Sequence, residues 1–129
     1  MNIAVQTPTD QLIRCFYKVY NALGYGFLER VYEKALILEL QRSGFVCISQ
    51  APISVYYEQE LVGEYFADIL VNDEIILELK AVSTLTNEHE AQLINYLKAT
   101  PIELGFLFNF GPKPEFKRKV FSNLNKNLF

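Results

Sequence analysis

The chain has 129 residues, half of them apolar, and carries 12 Lys and Arg against 15 Asp and Glu for a formal net charge of −3. That length supports one sizeable core, and so a single domain over residues 1–129, while the apolar and aromatic content excludes a disordered chain. No apolar run approaches the roughly 20 residues of a membrane-spanning helix, and the acidic balance weighs mildly against a nucleic-acid binder, since phosphate contacts normally require basic surface.

The N-terminus, Met1-Asn-Ile-Ala-Val-Gln6, lacks the basic start and apolar core of a signal peptide, so the expectation is a cytoplasmic protein without membrane contact. Thr7 caps a first helix with Pro8 at its first position and Asp10 in its first turn, and Leu12, Ile13, Phe16, Tyr20 and Leu23 form its apolar stripe. Gly24-Tyr25-Gly26 interrupts. A second helix is expected from about Leu28 to Ser43, stopped by Gly44, with Leu28, Val31, Tyr32, Ala35, Leu36 and Leu40 turned inward. Cys15 and Cys47, with no CxxC and a single histidine in the chain, read as reduced thiols rather than zinc ligands.

From Phe45 to Val82 the period changes to two, giving expected strands at about 45–49, 53–58, 61–71 and 74–82, with a polar break at Glu58-Gln59-Glu60 and a turn at Asn72-Asp73. Asn87-Glu88-His89-Glu90 resembles a capping box that opens a helix to about Ala99. After Pro101, Leu104–Asn109 reads as a buried strand and Phe116–Phe121 as an edge strand. This order predicts an α/β fold with a mixed central sheet and helices on both faces. Lys113, Lys117, Arg118, Lys119 and Lys126 lie close in sequence, either as a phosphate-binding patch or as a solvated tail. Phe121, Leu124, Leu128 and Phe129 are spaced to cover apolar surface, in a homodimer or by folding back on their own core.

The chemistry concentrates in the middle strands. Asp68 sits in the apolar run Glu64–Val71, and Glu78 and Lys80 sit in a second one, Glu74–Ala81. Charges in such strands are either paired or functional. Glu78 and Lys80 are two apart and so project from one face. Asp68 and Glu78 could anchor a hard cation whose shell a substrate phosphate completes, and Lys80 could then hold a water or offset phosphate charge. The alternative is a buried Lys80–Asp68 ion pair that only shapes the sheet. His89, Gln92 and Tyr96 fall on one face of the next helix. A shared site also constrains the turn. A two-residue loop at Asn72-Asp73 would set Asp68 opposite Leu77, so the site requires an odd loop pairing Val71 with Ile75, or a bulge.

These residues resemble the PD-(D/E)XK nuclease superfamily and, within it, the small family called GxxExxY proteins. The name motif reads Gly26-Phe27-Leu28-Glu29-Arg30-Val31-Tyr32, followed by Gln50–Val55, Gly63-Glu64-Tyr65, Asp68, Glu78-Leu79-Lys80-Ala81, His89, Gln92, Asn95–Lys98 and Asn109-Phe110-Gly111. Ala67 stands where the superfamily has a proline before its first acid. The resemblance implies a restriction-endonuclease-like core. It makes Asp68 and Glu78 the metal-binding pair for Mg²⁺ or Mn²⁺, Lys80 the catalytic lysine, and Glu29 the acid of the first core helix, holding a second metal or its water. Gln92 and Tyr96 match the Gln-x-x-x-Tyr helix of exonucleases of the lambda and RecB type. The activity implied is hydrolysis of DNA, with RNA second. The rival is a non-catalytic module that retains the fold to bind nucleic acid or protein.

Overall fold

The computed structural model describes residues 7–127. Two helices come first, α1 (Pro8–Leu23) and α2 (Glu29–Arg42), followed by three strands, β1 (Cys47–Tyr57), β2 (Glu60–Val71) and β3 (Ile75–Lys80). Helix α3 (Asn87–Lys98) then carries the chain over to β4 (Leu104–Phe110) and β5 (Pro114–Val120). The five strands lie in chain order. Only β3 and β4 run parallel, as a pair joined through a helix can, and the neighbouring pairs are antiparallel. The fold is thus the expected mixed sheet, with α1 and α2 on one face and α3 on the other.

Period-two alternation divides β3 between two cores. Ile75, Leu77 and Leu79 pack with α1 and α2, where Phe16 stacks on Phe108 at 4.5 Å and Tyr32 on Phe110 at 4.3 Å. Ile76 packs with Leu93, Tyr96 and Leu97 of α3, so Glu78 and Lys80 project on the α3 side. Two of the three helix starts are capped by side chains: Thr7 and Asp10 exchange bonds at α1, and Thr86 and His89 do so at α3, while α2 starts without a side-chain cap. The α3 cap is therefore Thr86, one residue before the Asn87 expected from sequence.

Several expectations are corrected. Residues 47–57 form one strand in place of the two expected at about 45–49 and 53–58, and the exposed Pro52 is accommodated because β1 is a sheet edge. Leu28 is 74 % exposed and Val31 lies at the surface. Leu28 is the extended residue before α2, and in the first turn of that helix Tyr32 alone is buried while Val31 faces outward. Leu124 is 95 % exposed and covers nothing, whereas Phe121 packs beside the α3 core and Lys126 donates to the carbonyls of Thr100 and Ile102. Leu128, Phe129 and the N-terminal Met1–Gln6 lie outside the described residues. The basic cluster is divided. Lys119 pairs with Glu90 of α3, Lys126 is committed to carbonyls, and Arg118 projects from the opposite face of β5 to Lys117 and Lys119. Both cysteines are free thiols.

Candidate active site

The turn between β2 and β3 determines what can meet across them. Val71 stands opposite Ile75, Leu70 opposite Ile76 and Ile69 opposite Leu77. The loop is therefore Asn72-Asp73-Glu74, the odd length that a shared site requires. Asn72 and Asp73 are left-handed, at φ 52° and 55°, and the Glu74 N–H donates to the Val71 carbonyl. Asn72 also ties the turn to β1, because its side chain accepts from the Val46 N–H and its own N–H donates to the Val46 carbonyl, both at 2.8 Å.

One step beyond Ile69 and Leu77 the backbone ladder gives way to side chains. The Leu79 N–H donates to Asp68 Oδ2 at 2.8 Å, and the Asp68 N–H donates to Glu78 Oε1 at 3.3 Å. Each carboxyl thus occupies the other strand's backbone, which fixes both in the split between β2 and β3. A second irregularity aims Asp68. Gln50, between the pairs Ser49–Ile69 and Ala51–Ala67, has φ 53°. At that level the odd-numbered side chains pass from the α1–α2 core (Cys47, Ile69, Val71) to the α3 core (Ala51, Ile53, Ala67). Asp68 consequently reaches a cavity of about 120 Å³ that it shares with Glu29, Glu33 and Leu79.

Glu78 is 4 % exposed. Burial pushes its carboxyl up to about 9, the Asp68 carboxyl beside it adds to the rise, and Lys80 opposes it weakly. The Lys80–Asp68 ion pair that could have explained these charges structurally is absent among the described residues, where the pairs are Lys18–Glu39 and Lys119–Glu90. Lys80 instead donates to Gln92 Oε1 at 3.5 Å, and Gln92 Nε2 donates to the Tyr96 hydroxyl at 2.9 Å. Tyr96 is nearly buried. Burial raises its phenol, and the charge of Glu78 raises it further.

Glu29 opens α2 across the small cavity. Its carboxyl is raised by partial burial, pulled down by Lys80 and raised again by Asp68, so all three groups feel one another. The three carboxylates do not close into a ligand cluster, however. Among the described residues no three His, Cys, Asp or Glu side chains gather closely enough to hold a metal ion by themselves. The donor set of Asp68 and Glu78 suits a hard divalent cation that keeps open positions for water and phosphate oxygen. His89 serves the α3 cap: its Nδ1 accepts from the Thr86 N–H at 3.1 Å.

Two positioning devices were not apparent beforehand as parts of the site. Tyr32, fully buried, donates its hydroxyl proton to the Gly24 carbonyl at 2.6 Å and accepts from the Phe27 N–H at 3.2 Å, pinning the loop that delivers Glu29. Gly26, at φ 114°, supplies the backbone shape in that loop. This gives the Gly26, Glu29 and Tyr32 spacing a physical meaning. On the other flank, buried Asn109 holds both the N–H and the carbonyl of Val82 at 3.0 Å, and Glu115 accepts from Leu85 and from Asn109. A Cβ at Gly111 would collide with the Val82 carbonyl oxygen. The segment from Lys80 to α3 is thereby hung from β4 and β5. A lone Asn in the apolar run Leu104–Phe110 was the available signal, because a buried amide needs partners.

Comparison with known proteins agrees with this geometry. No curated protein matches the sequence. A solved structure described as the crystal structure of SSO0001 superposes with a TM-score of 0.59 at 15 % identity, covering 92 % of this chain and 70 % of that one, which shows a shared fold. The family model of the PD-(D/E)XK nuclease superfamily matches residues 6–119, and with that span the chain belongs to the PD-(D/E)XK nuclease superfamily.

Proposed function

We propose that the protein is a Mg²⁺- or Mn²⁺-dependent nuclease of the GxxExxY type, cleaving phosphodiester bonds of DNA and secondarily of RNA. The observation that carries this reading is the contact of two carboxyl groups, Asp68 and Glu78, in a split of the sheet, with no cation among the described residues paired to either by an ion bridge. As structure alone that arrangement is unfavourable, since it buries like charges side by side and forces one to stay protonated. A bound divalent ion would supply charge neutralisation for the pair and polarise the scissile phosphate. Asp68 and Glu78 would anchor it, with the Leu79 carbonyl as a further oxygen, and Glu29, which lines the small cavity with Asp68, would hold a second ion or its water. Lys80, tethered by Gln92, positions the attacking water. Gln92 and Tyr96 orient the strand.

The alternative of a non-catalytic binding module draws support from the lack of a three-ligand cluster among the described residues and from the divided basic residues. Titration of the purified protein with Mg²⁺ or Mn²⁺ by calorimetry separates the two. Binding near or below millimolar concentration is expected, and its absence refutes the nuclease. In a cleavage assay, Asp68→Ala and Lys80→Ala are each expected to lower the rate by at least about 100-fold. Activity that survives both substitutions overturns the assignment.

A further inference from the structure

Beside the carboxylates, a cleft of about 650 Å³ opens between the distal half of the β1–β2 hairpin and the exposed side of α3. Tyr65 of β2 and Tyr96 of α3 line it, with ring centroids 5.8 Å apart and planes inclined by 44°. Tyr65 is half exposed, and Gln92 and Asn95 place amides along the same wall. The cleft is continuous with the proposed site, because Tyr96 and Gln92 form its wall and Gln92 also holds Lys80. Its charges nearly cancel, with Lys98 against Glu88.

We propose that this cleft receives an unpaired base of single-stranded nucleic acid, stacked on Tyr65, next to the phosphate presented to Asp68 and Glu78. The inference rests on the nuclease reading and narrows its substrate. A pocket of aromatic faces with a few amides and little net charge suits a base better than a phosphate. Its size lies within the range of ordinary small-molecule sites. An acidic chain whose cations are dispersed is poorly equipped to grip the two backbones of a duplex, and a paired base would first have to be unstacked. In a single strand the face of the base is already available.

The test is equilibrium binding of a labelled 12-nucleotide single-stranded DNA, its RNA counterpart and the matching blunt duplex, measured by anisotropy in EDTA, where cleavage is suppressed. The single strand is expected to bind at least about tenfold more tightly than the duplex, and the DNA and RNA arms identify the preferred sugar. Tyr65→Ala is expected to weaken single-strand binding by roughly 5- to 100-fold, while Tyr65→Phe keeps it. Both substitutions fall on a half-exposed strand residue, and circular dichroism verifies folding. Equal or tighter duplex binding, or an unchanged affinity in folded Tyr65→Ala, overturns the cleft. Asp68→Asn separates this inference from the one beneath it. Retained single-strand affinity in that variant supports the cleft whether or not the parent cleaves, and cleavage that is indifferent to Tyr65→Ala leaves the nuclease standing while the cleft falls.

Discussion

Glu78 is disfavoured as an anion twice over, first by burial and then by the carboxyl of Asp68. In the metal-free protein it therefore keeps its proton at neutral pH, while in the unfolded chain it ionises near the ordinary glutamate value. The folded state binds the extra proton between those two values, so stability falls as pH rises from about 4.5 towards about 9. Glutamine imitates the protonated acid, because it can still accept from the Asp68 N–H and can donate to the Asp68 carboxylate. Glu78→Gln is thus expected to melt close to the parent at pH 5 and, in EDTA at pH 8, to be more stable by on the order of a few kcal/mol. The comparison is made by thermal melts of both proteins across that range. A difference that does not grow with pH shows that Glu78 is ionised in the folded protein and that no proton is held between the two carboxyl groups.

Between β2 and β3 the decisive unit is a turn of three residues, two of them left-handed without being glycine. The two are not equivalent. Asn72 uses its side chain to hold Val46, whereas no such bond involves the Asp73 carboxylate among those described. Asp73→Gly is therefore expected to raise stability by about 0.5–1 kcal/mol in urea unfolding, the left-handed cost outweighing the added chain entropy. Asn72→Gly is expected to bring no gain, since it deletes the bond to Val46. Equal gains from both would show that the Asn72 bond contributes nothing to the register. The odd length of this turn was legible in the sequence, because side-chain alternation allows Asp68 and Glu78 to share a face only for one loop parity. The kink at Gln50 was not legible, since a polar residue on an exposed edge strand carries no mark of a positive φ. Nor was the exchange of carboxyl groups with the opposite backbone, which depends on where two strands part. Leu28 and Val31 fit the apolar period of α2, yet both are exposed at the entry of the helix, where the bond from the Tyr32 hydroxyl to the Gly24 carbonyl sets the approach and is not encoded by periodicity.

Across the whole molecule, charge limits how nucleic acid can be held. With 15 acidic against 12 basic side chains, each cation already committed elsewhere reduces the number available for phosphates. Lys18 is paired with Glu39, Lys119 with Glu90, and Lys126 with two carbonyls. Near the carboxylates the cations are Lys80, Arg30 at the small cavity and Lys98 at the larger cleft. A strand confined to the carboxylates and the cleft meets these three cations, and so makes about three phosphate contacts. Counterion release then predicts a shallow dependence of affinity on salt, with the logarithm of the single-strand binding constant falling by no more than about 2 per tenfold rise in salt. Binding isotherms between low and physiological ionic strength measure this slope directly. A slope near 4 or steeper would require the β5 lysines and Arg118 to engage the backbone, and the strand would then run across that edge of the sheet, away from the tyrosine-lined cleft. A shallow slope combined with measurable affinity leaves stacking and hydrogen bonding to bases as the main source of binding, because the phosphate contribution is then small.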